Sequence, residues 1–207
     1  ITSLIAEKPE VIVVHNPDVQ SYARLLQKAE EAGVHVVQIN MRSSYSSDAF
    51  VGVDYVGMGE QIAQKLVDKC SPANGGSGKI AITQGALTAA ASIYQMQGID
   101  NVLSKHPEIK VVSNQAADWD ATKAKNIAAT VIQQNPDLCG ITGFWDVMDA
   151  GSAAAIKESG KNIYLLTQGG GNQTACDALA NGTFSEVVVF FVPGQARDMA
   201  GLIKQML

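Results

Sequence analysis

Short apolar runs bounded by Gly, Pro or Asn recur along this chain, and between them lie longer segments whose apolar positions return every three or four residues. The alternation of the two periods predicts strands alternating with helices, the pattern of a parallel sheet built from βα units. The predicted strands are VIVVH (11–15), HVVQIN (35–40), FVGV (50–53), KIAIT (79–83), KVVSN (110–114), CGITG (139–143), IYLLT (163–167) and EVVVFF (186–191). Most are too uniformly apolar for a sheet with one wet face.

The helices between them carry start and stop signals. Asn16-Pro17-Asp18 is expected to open a helix ending at Gly33, with Leu25, Leu26 and Ala29 on one stripe and Lys28, Glu30 and Glu31 opposite. Asp120 is expected to cap a helix over 121–134, and Asp146 or Val147 to begin one ending at Gly160. Asn172 is expected to cap a helix that closes at Asn181-Gly182. The low-complexity piece SPANGGSG (71–78) reads as an exposed connection.

At 207 residues, 46% hydrophobic and 17% charged, the chain is long enough for one large domain or two lobes that share the core. A net charge of -5 argues against broad contact with nucleic acid or anionic lipid, since the partners would carry the same sign. The longest apolar stretch, EVVVFFV, is far shorter than the roughly 20 residues a bilayer span needs, so no direct membrane insertion is expected. The opening residues show no secretory signal, which decides nothing about location. Cys70, Cys139 and Cys176 have no CxxC spacing and no nearby histidine, which speaks against zinc. Buried or idle thiols are the plainer expectation for them, with one disulfide and one free thiol as the alternative.

Nucleotide motifs fail on order. GGSGK (75–79) precedes a strand, whereas a phosphate loop follows a strand and opens a helix. GGG (169–171) is placed between strand and helix but lacks the GxGxxG spacing, leaving tight-turn glycines or backbone approach to a ligand. His15, His35 and His106 stand beside no nucleophile motif, and GxSxG and HExxH are absent, so no enzyme, cofactor or metal is expected. The strand-to-helix junctions are chemically biased instead. They carry His15-Asn16, Asn40-Met41-Arg42, Gln84-Gly85, Asp118-Trp119-Asp120, Phe144-Trp145-Asp146 and Gln168-Gly169. In open parallel sheets ligands bind beyond the carboxyl ends of the strands. Flat aromatic faces with amides, carboxylates and an arginine suit a small polyhydroxylated molecule. Against this stands a plain alternative for each type: a core plug for each tryptophan, a helix N-cap for each aspartate.

The ordered segments PEVIVVHNPD, AEEAGVHVVQIN, FVGVDYVGMGEQIAQKLV, GKIAITQG and NQAADWDATKAKNIAATVIQQNPDLCGITGFWDVMDAGSAAAIKESG resemble the type I periplasmic binding proteins, the ribose- and galactose-binding group that serves ABC transporters. The resemblance covers nearly the whole chain. It implies an α/β fold of two lobes with parallel sheets flanked by helices, hinged crossovers, and a ligand held in the cleft. Residues 1–53 and 193–207 would form the first lobe, and 54–192 the second, with crossings near 54–55 and 191–192. The chain would start near the end of the family's second helix, leaving the first lobe partial, and the exposed apolar faces would favour poor stability or association.

Carried over residue by residue, the resemblance implies a ligand site of Asn40, Arg42, Tyr94, Trp119, Trp145, Asp146 and Gln168. The family's Asp-Arg after HVVQIN is Asn40-Met41-Arg42 here, and its arginine after TQGALTAAAS falls near Ile93, Tyr94 or Gln95. Its Asn-Asp is Trp145-Asp146, and its aspartate after IYLLT is Gln168. Lost charges and added ring area point away from a pentose in the usual pose and towards a reduced or modified sugar, a polyol or a less polar ring. The implied partners are a small carbohydrate-like ligand, an ABC transporter permease and a chemoreceptor, in the periplasm or another extracytoplasmic space. The alternative is the effector domain of a regulator related to the lactose repressor, which has the same fold.

Overall fold

The computed structural model describes residues 1–15 and 18–207. The chain divides into two compact units, Ile1–Asp54 with Thr88–Ala90 and Phe191–Leu207, and Tyr55–Leu87 with Ala91–Phe190.

The first unit is built from α1 (Thr2–Glu7), β1 (Val11–Val14), α2 (Ala23–Glu31), β2 (His35–Asn40), β3 (Ala49–Gly52) and α8 (Val192–Met206). Its three strands run parallel in the order β1-β2-β3, with Val13 opposite Val37 and Gln38 opposite Phe50. Ile12, Val14 and Val36 close on Leu26 and Ala29 of α2, the stripe expected from the sequence. The start of that helix differs from expectation. Asn16 and Pro17 of the expected opening lie outside the described residues, and α2 begins only at Ala23. Asp18 serves a turn instead, its carboxylate accepting from the amides of Gln20 at 2.9 Å and Ser21 at 2.8 Å. The hydrogen bonds from Ser21 hold the Asp18 carboxyl down at about 2. A local turn that satisfies these donors competes with the helix for them, which explains the late start.

The second unit contains α3 (Tyr55–Cys70), β4 (Lys79–Gln84), α4 (Ala90–Leu103, from its second residue), β5 (Lys110–Ala116), α5 (Ala121–Gln134), β6 (Gly140–Gly143), α6 (Asp146–Ser159), β7 (Tyr164–Gly169), α7 (Gln173–Ala180) and β8 (Glu186–Val189). Five parallel strands lie in the order β5-β4-β6-β7-β8. One face buries Ala81, Ile141 and Leu165 against Ala128, Ala153 and Ala175 of α5, α6 and α7. The other buries Ile82 and Phe144 against Ala63 of α3 and Ile99 of α4. Covering both faces is what uniformly apolar parallel strands require.

Capping follows the sequence at two helices. The Asp120 carboxylate accepts from the Lys123 amide at 2.7 Å, and the Asn172 side chain from the Ala175 amide at 2.9 Å. The cysteines overturn the plainer expectation: Cys70 and Cys139 form a disulfide, and Cys176 is free and exposed. The SPANGGSG connection follows directly on the bridged Cys70, with Ser71 buried and a single 3-10 turn at Pro72–Asn74.

Candidate functional site

At the carboxyl end of the first unit's sheet, β2 stops at Asn40, whose backbone is left-handed at φ 62°. Its amide nitrogen lies 3.5 Å from Nε2 of His15, the residue after β1. The Arg42 guanidinium is exposed and sits 5.9 Å from the centroid of the Phe50 ring, within cation–π range. Asn40 thus stands at the end of β2, and Arg42 lies over Phe50 of β3.

In the second unit, the turn after β5 is bent by two consecutive non-glycine residues in the left-handed region, Asp118 at φ 52° and Trp119 at φ 64°. Each costs roughly 1 kcal/mol or more, strain that persists only where surroundings fix it. The surroundings are visible. The Ala117 amide donates to the Gln84 carbonyl at 2.9 Å, and Asp120 caps α5. The Trp119 ring, half-buried, lies across Gly85 so closely that a Cβ there would collide with it. It also packs against the Ile82, Ile99 and Phe144 cluster, so this indole is partly the core plug of the plain alternative. Beside it, Gln84 donates its amide to Asn114 at 2.6 Å.

The turn after β6 treats its aromatic pair differently. Phe144 is buried, while Trp145 occupies the N-cap position of α6 in extended backbone and keeps 37% of its surface exposed. Asp146 begins α6, as one of the two expected starts, and is not the N-cap of the plain alternative. The cap residue is Trp145, which makes no side-chain capping bond, and the Asp146 carboxyl is only 3% exposed, packed on the backbone of Gly169. Neither of its oxygens has a hydrogen-bond partner among the described residues. Burial raises its pKa above the usual carboxylate value, opposed by the nearby amides of Val147 and Gly171. Gln168, at the end of β7, is buried; its amide donates to the Phe144 carbonyl, and its Oε1 has no partner among the described residues. Trp145, Asp146 and Gln168 are therefore brought together at adjoining strand ends. Tyr94 is half-buried on α4.

Sequence reasoning missed the buried polar stripe behind these residues. Asp149 and Ser152 sit one and two turns into α6, both fully buried. Asp149 accepts from the Thr167 hydroxyl, and its Oδ1 has no partner among the described residues. Burial pushes its carboxyl up to about 8, against the Thr167 hydrogen bond and helped by the charge of Asp146. The spacing Asp146, Asp149, Ser152 is a helix-face signal, but on an exposed helix it would read as a solvated face. Among the described residues, no group of three or more His, Cys, Asp or Glu is placed to hold a metal ion, and no helix is long and apolar enough to cross a membrane.

Two parallel sheets of βα units, with aromatic and amide side chains at the strand ends, define the class as an α/β protein. Residues 1–207 match the family described as periplasmic binding protein domain, and the chain belongs to that family. It is 29% identical over 186 residues to the xylitol-binding protein of Mycolicibacterium smegmatis, covering 89% of this chain and 52% of that protein. It is 31% identical over 150 residues to the D-allose-binding periplasmic protein of Escherichia coli, covering 69% of this chain and 47% of that protein. The chain thus spans about half the length of these curated relatives. Among solved structures, the periplasmic component of the arabinose ABC transporter from Shewanella, bound to L-arabinofuranose, superposes with a TM-score of 0.78 at 25% identity, over 88% of this chain and 62% of that one. A solute-binding protein from Actinobacillus succinogenes with bound D-allose has a TM-score of 0.85 at 24% identity, over 99% and 75% of the two chains, which shows the shared fold.

Proposed function

We propose that this chain is part of the solute-binding component of an ABC importer and holds a small sugar or polyol at the carboxyl ends of its strands. The observation that carries the reading is the pairing of Trp145, a partly exposed indole, with Gln168, a buried amide whose Oε1 has no partner among the described residues. The ring offers a face for C–H surface, and the amide an acceptor for a hydroxyl. Trp119 and Asp146 complete that group, and Asn40, Arg42 and Tyr94 are further proposed contacts. Relatives named for xylitol, D-allose and ribose support a polyhydroxylated ligand over the regulator alternative. The xylitol-binding relative favours a polyol or reduced sugar. The disulfide supports an oxidising, extracytoplasmic setting. An ABC permease is the proposed partner, with a chemoreceptor as a second reader of the same bound state. The reading needs no catalytic group and no cofactor.

A thermal-shift screen of xylitol, other polyols, D-allose, D-ribose and D-galactose on the full chain tests it. A ligand at a hundred times its Kd stabilises by about 2.7 kcal/mol, well within detection. A shift with polyols or modified sugars is expected. A shift with ribose or galactose alone would overturn the polyol preference, and no shift with any of them would overturn the sugar reading.

A further inference from the structure

Asp149 is the one buried carboxyl of the second unit that touches both walls of the proposed site without belonging to either. Its backbone amide donates to the Trp145 carbonyl at 2.9 Å, closing the first turn of α6. Its side chain accepts from the hydroxyl of Thr167, the residue before Gln168. Gly143 lies against the same carboxyl, so close that a Cβ there would overlap it; the glycine is what lets the acid reach the sheet. We propose that Asp149 is a positioning residue, tying the first turn of α6 to the end of β7 and so setting where Trp145 and Gln168 stand relative to each other. The inference deepens the sugar-binding reading and rests on it for its effect on ligand.

The Thr167 hydroxyl donates to the carboxyl and by itself favours the charged form, but burial opposes that form more strongly, so the tie is made with the acid neutral. The carboxyl is fully buried, one oxygen has no partner among the described residues, and Asp146, one turn away on the same helix, adds a like charge when ionised. Among the described residues, no ion pair reaches it to offset that charge. Thr167 of β7 and Gly143 of β6 are uncharged. From α5, Lys125 is held by Glu158 at 2.6 Å and Lys123 by Asp118 at 2.8 Å; from α7, Asp177 accepts from Gln173 at 2.8 Å. Ionisation must therefore admit water or turn the side chain out, and either parts α6 from β7. With the carboxyl at about 8, the neutral form falls to about one molecule in ten at pH 9.

Tryptophan emission and xylitol binding, followed from pH 6 to 10 in the wild-type chain, Asp149→Asn and Thr167→Val, test this. In the wild type the ligand-free emission should change with a midpoint near pH 8, and affinity should fall about tenfold between neutral pH and pH 9. Asp149→Asn should lose the emission step and change affinity less than about twofold over the same range. Thr167→Val should show the high-pH emission at every pH. Identical profiles for wild type and Asp149→Asn, or a wild-type-like step in Thr167→Val, would overturn the proposal. Should xylitol bind to no variant at any pH, the emission step still decides: present in the wild type and lost in Asp149→Asn, it upholds the tie while the sugar reading fails; absent from the wild type, it sinks the tie. If Asp149→Asn does not fold, Thr167→Val carries the same decision.

Discussion

The two units obey one sequence grammar and reach different degrees of closure. In the second, Ile80, Ile82, Ile141, Leu165 and Leu166 are all sealed, because helices lie on both faces of the five-stranded sheet. In the first, Ile12 and Val14 are buried, yet Val13 between them is 42% exposed, and Phe50 keeps 37% of its surface under the guanidinium of Arg42. Apolar strands state a demand for cover; they do not supply it. Where helices meet that demand, each apolar residue contributes about 25 cal/mol per Å² of surface removed from water, and where they do not the same residue contributes little.

The sharpest way to break the contrast is in the sealed core. Phe144→Ala should destabilise the second unit by about 3–5 kcal/mol, read as a loss of amide-exchange protection in β4, β6 and α4. Reducing the Cys70–Cys139 bond, which closes a separation of 69 residues, should cost the same unit about 2–4 kcal/mol in a urea titration and leave the first unit's transition in place. A pH series sharpens the contrast further. Native Asp149 keeps its proton up to about 8, whereas the unfolded chain releases it near the ordinary 3.8. The native state therefore binds more protons across that window, and the second unit's stability falls as pH rises from about 4 to about 8. Asp149→Asn should flatten this slope in thermal melts. Asp120→Ala, which removes the cap of α5, should cost about 1 kcal/mol by chemical denaturation. Val13→Thr in the first unit should stay within about 0.5 kcal/mol, since its side chain already meets solvent.

The eight strands among the described residues, the Asp120 and Asn172 caps and the end of α6 at Gly160 were legible in the sequence, because period, cap chemistry and a left-handed stop are local signals. The late start of α2 was not, since Asp18 can cap either a helix or a turn, and only the Ser21 donors decide. A single disulfide stood only as the alternative reading, and its pairing was not legible, because two cysteines 69 residues apart share no spacing rule. In the candidate site, the clustering of Trp145, Asp146 and Gln168 followed from strand-end logic. Trp145 and Trp119 looked alike in sequence, and tertiary packing alone exposes one and presses the other onto Gly85. The role of Asp149 was hidden for the same reason: a carboxyl in a helix reads as surface until the neighbouring strand offers it Thr167.

The Cys70–Cys139 bridge has a mechanical consequence. It turns the chain between α3 and β6 into a closed ring containing β4, α4, β5 and α5. A force applied at the two chain ends passes through the sulfur–sulfur bond and never loads that ring. At roughly 3.5 Å per extended residue, about 240 Å of contour length stays out of the pull until a reductant is added.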